Sequence, residues 1–126
     1  MSHFLLVCLG GAIGSGMRFL AATGAVMLLG ADFPRGTLFV NLLGSFLLAL
    51  IMGASTSSTV MSLELRLFLG AGVMGGFTTY SSFNYETISL AVQGSWGAAV
   101  FNVVVTLAGC LLSGIVGLAL GRALVA

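Results

Sequence analysis

Four apolar runs, each long enough to cross a bilayer, take up nearly the whole chain. They lie at about 4–29, 37–54, 63–93 and 96–124. A helical span needs about 20 predominantly apolar residues, so 126 residues leave room for four spans and short connections only. The charges fit this division. Arg18, Arg35, Arg66, Arg122, Asp32, Glu64 and Glu86 are all there is, with a lone His3 and no lysine. At 59% hydrophobic and 6% charged, the chain is far from the roughly one-quarter charged residues of a soluble domain. The expected fold is an all-α membrane protein of four transmembrane helices, with residues 1–126 forming one integral membrane domain. The N-terminus, MSHFLLVCLGGAIG, lacks the charged leader and cleavage site of a signal peptide, so the first run reads as a retained span. A net charge of +1 gives no basis for a nucleic-acid partner.

The third run interrupts itself. Within GVMGGFTTYSSFNYE, residues 72–86, the middle 75–84 places two glycines, four serine and threonine hydroxyls and three aromatic rings inside an otherwise apolar segment. Lipid offers a freed backbone no hydrogen bond, so irregular backbone at membrane depth survives only within protein or along an aqueous path. The stretch therefore predicts a helix broken at mid-membrane. The break is expected at Gly75–Gly76, with the helix resuming after Ser82. A kinked, glycine-packed helix without a ligand is the alternative.

Small residues mark close helix contacts elsewhere. Gly10 and Gly14 are one turn apart, and Arg18 follows on the same face. That arginine either faces protein or water or snorkels to the headgroups. Gly109, Ser113, Gly117 and Gly121 recur every four residues in the fourth run and predict a packing ridge. Asn102, Thr106 and Cys110 form a second row beside it. From Asn102 to Ser113 the helix rises about 16 Å. The row either lines a path or bonds neighbouring carbonyls. Asn41 lies one turn inside the second run, where a carboxamide requires a partner. It bonds another helix or points its NH2 into a polar pathway. Glu86 reads as an interfacial carboxylate, and residues 55–62 as a polar connection. Cys8 and Cys110 sit in apolar segments and suggest no disulfide.

Catalytic vocabulary is missing. The one histidine is at position 3, no Cys/His cluster has metal-ligand spacing, and no serine has an evident base. An enzyme is not expected. Arginine counts on the two sides nearly balance. Arg66 and Arg122 face one side, Arg35 and Arg18 the other, and such balance permits insertion both ways up.

Three blocks together resemble a known family. GGAIGSGMR at 10–18, GTLFVNLLGSF at 36–46 and GVMGGFTTYSSFNYE at 72–86 are similar, in order and spacing, to those of the Fluc (CrcB) fluoride channels of bacteria. The resemblance covers all four runs. It implies an antiparallel, dual-topology homodimer in the cell inner membrane, with two fluoride pores that passively export the ion. It also implies a central structural Na+ at the dimer interface, held by backbone carbonyls that map to Gly75 and Thr78. Asn41 matches the pore asparagine and Arg18 the arginine of the first helix. Tyr80 and Phe83 match the paired phenylalanines, the first with a phenol added. The fourth-helix track matches less closely, through Asn102, Thr106, Cys110 and Ser113. The residue chemistry agrees. Fluoride must exchange water for donors without being held too tightly to leave. Asn41, Ser81 and nearby hydroxyls supply donors, and aromatic edges are positive. The rivals are a small multidrug-type transporter, which wants an acid in the first span, and a noncatalytic assembly subunit.

Overall fold

A computed structural model describes residues 2–56 and 61–126. All regular structure among them is helical. Helix α1 spans His3–Leu29, α2 Arg35–Ala54, α3 Leu63–Arg66, α4 Gly75–Phe77, α5 Tyr80–Val92 and α6 Trp96–Ala123, with a π-helical stretch Leu67–Met74 between α3 and α4. Three of these, α1, α2 and α6, are long and apolar enough to cross a membrane. The chain between α3 and α5 covers the remaining apolar run in several pieces. Residues 57–60 of the expected polar connection lie outside the described residues.

Turns fall where the sequence supplies the chemistry. Helix α1 stops at Gly30, whose φ of +84° belongs to the left-handed region that a side chain disfavours. Its last carbonyls are not left bare. Arg35 Nη1 donates to Leu29 O at 2.8 Å and to Asp32 Oδ1 at 2.7 Å, tying the α1–α2 loop together. The same pairing holds the exposed Asp32 carboxyl below the usual carboxylate range, chiefly through the Arg35 hydrogen bond. Gly94, at φ +83°, reverses the chain between α5 and α6. Ser62 and Thr79 cap α3 and α5, accepting from Leu65 N and Ser82 N, as short hydroxyl side chains do at helix N-termini.

The backbone interruption is not where the glycines suggested. Gly75 is helical, at φ −61° and ψ −38°. Helical geometry is lost at Thr78 (φ −81°, ψ 159°) and Thr79 (φ −152°, ψ 114°) and returns at Tyr80. The physical reason is contact rather than flexibility. A Cβ on Gly76 would come within 2.5 Å of Gly11 O and 3.0 Å of Ser15 N, so that glycine lets α4 lie against α1.

Glycine contacts organise the rest of the packing. Gly10 and Gly14 of α1 are buried against the backbone of Phe68, Gly72, Val73 and Phe77. The four-residue ridge of α6 lies along α2. Gly109 meets the Leu42 side chain, Ser113 Oγ donates to Leu42 O at 3.1 Å, and Gly117 and Gly121 rest on the carbonyls of Phe46 and Leu50. From Ser113 onward each step of four on α6 meets a step of four on α2 (Leu42, Phe46, Leu50), so two helices of similar direction lock along several turns. A small apolar core of Val40, Val73, Met74 and Phe77 sits between these layers. The exterior is apolar. Phe19, Leu20, Leu28, Leu111 and Val92 are all exposed. Water would disfavour such a surface, whereas hydrocarbon accepts it.

Candidate functional site

The two-residue interruption opens a cleft of about 370 Å³ between α2, α5 and α6. Polar groups from three elements meet on its wall: Asn41 and Ser45 from α2, Thr78 and Thr79 from the interruption, and Thr106 from α6. Tyr80, Phe83 and Cys110 complete the polar and aromatic part of the lining. Asn41, Thr79 and Thr106 are buried, so their polar atoms must find partners in protein or in the contents of the cleft.

Asn41 is bonded twice to one residue. Its Nδ2 donates to Thr79 O at 2.9 Å, and its Oδ1 accepts from Thr79 N at 2.8 Å. One amide hydrogen remains, since a carboxamide carries two. Thr79 Oγ1 accepts from Ser82 N at 3.2 Å, donates to Ser82 Oγ at 3.1 Å and lies 3.3 Å from Ser81 Oγ. These hydroxyls form the N-terminal cap of α5. The Tyr80 and Phe83 rings are tilted at 60° with centroids 5.7 Å apart, within the range of favourable aromatic pairs. Phe83 is 7% exposed and Tyr80 74%, so the pair runs from the interior to the surface.

Asn102 stands behind this wall. At 2% exposure it donates from Nδ2 to Thr87 Oγ1 at 2.9 Å and accepts from Thr106 Oγ1 at 3.4 Å. The latter bond is long and weak, leaving the Thr106 hydroxyl easily diverted. Arg18 is half-buried on α1 and is not part of the cleft wall. Of the residues singled out in the sequence, Asn41, Thr78, Tyr80, Phe83 and Thr106 border the cleft. Ser81 and Asn102 touch it through Thr79 and Thr106, and Arg18 lies apart. Thr79 was not foreseen as a site residue; its signal was a hydroxyl three positions before Ser82, the cap spacing.

The carbonyls of Gly75 and Thr78 are released from helical use. Their donors in a continuous helix would be the N–H groups four residues on. Thr79 N is instead engaged by Asn41, and Ser82 N by Thr79 Oγ1. Both carbonyls thus lose their usual helical donors, and neutral carbonyl oxygens are among the ligands a hard cation takes.

A second cleft of about 300 Å³ lies toward the α1–α2 loop, lined by Asp32, Arg35, Thr37, Glu86, Ser89 and Gln93 among others. Glu86 is not simply a solvated carboxylate. Its Oε1 accepts from Thr37 Oγ1 at 2.7 Å, and Oε2 is buried with no protein partner among the described residues. Cys8 and Cys110 are both free thiols.

Long apolar helices with a lipid-compatible exterior and a polar cleft between them define a multi-pass cell-membrane protein. The sequence profile described as "CrcB-like protein, Camphor Resistance (CrcB)" matches residues 5–118, and the chain belongs to that family. It is 59% identical over 113 residues, 90% of each chain, to the "Fluoride-specific ion channel FluC" of Anaeromyxobacter sp. (strain K). It is 47% identical over 126 residues to the protein of the same name from Sorangium cellulosum, covering 100% of this chain and 99% of that one. Its identity to the Chelativorans sp. protein of that name is 46% over 124 residues, 98% and 99% of the two chains. The family is one of ion channels, and the chain is not an enzyme.

Proposed function

We propose that this protein is a fluoride-selective channel through which the anion leaves the cell passively. The observation that carries the reading is the cleft at Thr78–Thr79, where hydrogen-bond donors and an aromatic pair converge, in a chain so similar to proteins named fluoride channels. Fluoride gives up water only to strong donors. The free amide hydrogen of Asn41, the Thr106 and Ser45 hydroxyls and, beside them, Ser81 offer such donors. Thr106 can turn its hydroxyl from Asn102 to an anion at little cost, because the bond it leaves is 3.4 Å long. The ring edges of Phe83 and Tyr80 supply weaker positive surface. Spread along the path in sequence rather than gathered at one point, these donors let the ion enter and leave. Asn102 backs the path by orienting Thr106, and Arg18 adds attractive potential at its approach.

In this reading the apolar run from Leu63 to Val92 is the third of four spans, interrupted within the membrane. Two copies pair antiparallel. The near balance of arginines on the two sides favours insertion both ways up, and the wide exposure of Tyr80 leaves each cleft open for a second copy to close. Each dimer then holds two pores. The freed carbonyls of Gly75 and Thr78 from both copies would hold a structural Na+ at the interface, which supplies fixed positive charge near the paths.

Fluoride efflux from liposomes containing the purified protein, read with a fluoride-selective electrode, tests the reading. A potassium ionophore clamps charge, and parallel vesicles hold chloride. Rapid fluoride efflux that requires the ionophore, with chloride retained, is expected. Absence of fluoride efflux from well-folded protein, or equal loss of chloride, overturns it.

A further inference from the structure

The interruption at Thr78–Thr79 needs a cause, because in an apolar surrounding a backbone gains by closing its own hydrogen bonds. No proline lies in the segment; the single proline is Pro34. The two glycines beside it are helical. Threonine is a poor helix former but is tolerated in many helices. Helix resumes at once, at Tyr80.

The cause lies on α2. Thr79 is extended, at φ −152° and ψ 114°. An extended residue turns its N–H and C=O to the same side, as in a hydrogen-bonded pair of an antiparallel sheet. A helical residue turns them in opposite directions along the axis. The Asn41 carboxamide engages both groups of Thr79, accepting from its N at 2.8 Å and donating to its O at 2.9 Å. One planar group with a donor and an acceptor side by side can do this only for the extended form. One turn further along the same face of α2, Gly44 receives the Thr78 methyl group, and a Cβ there would collide with it. Asn41 and Gly44 are three positions apart, the spacing of neighbours on a helix face. Helix α2 thus offers a seat of two parts, a carboxamide for Thr79 and a gap for Thr78. The seat is firm because α2 is locked along α6. It is also shielded, since Asn41 and Thr79 are both buried, so bulk water competes poorly for the two bonds.

We infer that Asn41 is a positioning residue that selects the extended conformation of Thr79 and so holds the helix interruption open. Its presence in the cleft wall is a separate matter from this role. The carbonyls of Gly75 and Thr78, the Thr79 hydroxyl cap and the cleft itself all depend on the clasp. The inference concerns the backbone and stands whichever ion passes.

Selectively labelled threonine in micelle- or nanodisc-embedded protein gives the test, through the Thr79 Cα and Cβ chemical shifts and its amide exchange. The unmodified protein is expected to show extended-type shifts at Thr79. Its amide should exchange at least about a hundredfold more slowly than an unstructured one, although Thr79 lies outside any helix. Asn41→Leu keeps similar bulk but offers no polar atoms, and Thr79 should move to helical shifts. Asn41→Asp should show a pH-reversible rescue. Its neutral carboxyl in acid has one donor and one acceptor and restores extended shifts. Its carboxylate has no donor for Thr79 O and loses them. A space-filling role would produce no such reversal. Extended shifts at Thr79 in folded Asn41→Leu protein overturn the inference. So does free-peptide exchange of the Thr79 amide in the unmodified protein, a measurement that needs no variant to fold. Neither readout uses fluoride flux, so a failed efflux experiment with an intact clasp refutes only the channel reading.

Discussion

Gly14 of α1 lies where two backbones touch, and alanine there is the sharpest probe of the packing. A Cβ at this position would collide with Val73 O and come within 2.8 Å of Val73 C and 2.9 Å of Phe77 N. All three are backbone atoms, so no side chain can swing aside. Relief requires α1 and the π-helical stretch to separate. Gly16 is the internal control. Two residues on, it lies about 200° around the helix, and a Cβ there meets nothing within 4 Å. Both substitutions gain about 1 kcal/mol of helix propensity, which cancels in their difference. What remains is the overpacking cost, about 1–3 kcal/mol for one added carbon in a filled site. That is about a 5- to 150-fold difference in the folded-to-unfolded ratio. Reversible unfolding of Gly14→Ala, Gly16→Ala and unmodified protein in mixed micelles of rising denaturing-detergent fraction measures it. Gly14→Ala should unfold first and Gly16→Ala should match or outlast the unmodified chain. Equal stability of the two variants would refute the close approach of α1 to Val73 and Phe77.

Other substitutions follow from the same contacts. Tyr80→Phe removes a phenol with no protein partner among the described residues and keeps the ring pair; stability should hold within about 0.5 kcal/mol and fluoride flux should not fall. A tenfold loss of flux would assign the phenol a part in permeation. Thr37→Val strips Glu86 Oε1 of its donor, and should cost about 1–3 kcal/mol in the same unfolding assay, with Thr37→Ser largely restoring it. No loss in the valine variant would mean the carboxylate finds another donor. The Asp32–Arg35 pair should contribute stability at neutral pH that disappears as pH falls through the depressed Asp32 pKa, because a lowered carboxyl pKa favours the folded state only while the group is ionised. The pair is exposed and screened by salt, so Asp32→Asn should flatten a small acid-side decline that high salt also removes. An unchanged pH profile in Asp32→Asn would assign that decline to another group.

The apolar runs were legible because lipid imposes a composition that no loop shares. The expected first and fourth helices, starting near Phe4 and Trp96, agree with α1 and α6 to within a residue or so at each end. The four-residue ridge of α6 was legible for a similar reason: only small residues at that period let backbones meet. The interruption was misplaced by a local rule. Paired glycines weaken an isolated helix, but here Gly76 serves contact with Gly11 and the helix persists. The interruption comes three residues later, fixed by a side chain 38 positions upstream, and no local pattern announces such a partner. The site was read mainly through the family resemblance, with residue chemistry in agreement, and of the residues so chosen Asn41, Tyr80, Phe83 and Thr106 border one cleft. Chemistry without geometry could not separate Thr106 from Asn102, which faces Thr87 instead, or foresee that Thr37 bonds Glu86.

The π-helical stretch Leu67–Met74 sets an angular phase. An α-helix advances about 100° per residue, whereas a wider winding with i→i+5 bonds falls steadily behind. The eight residues therefore act as a vernier between two sets of fixed marks. On one side Phe68 and Gly72 must meet Gly10; on the other Gly76 must meet Gly11, and Thr79 must face Asn41. Deleting a single residue from the stretch would rotate everything beyond it by most of a quarter turn, carrying Thr79 off its seat. The residue count of an apolar segment with no polar side chain is thus as much a part of the cleft as the groups that line it.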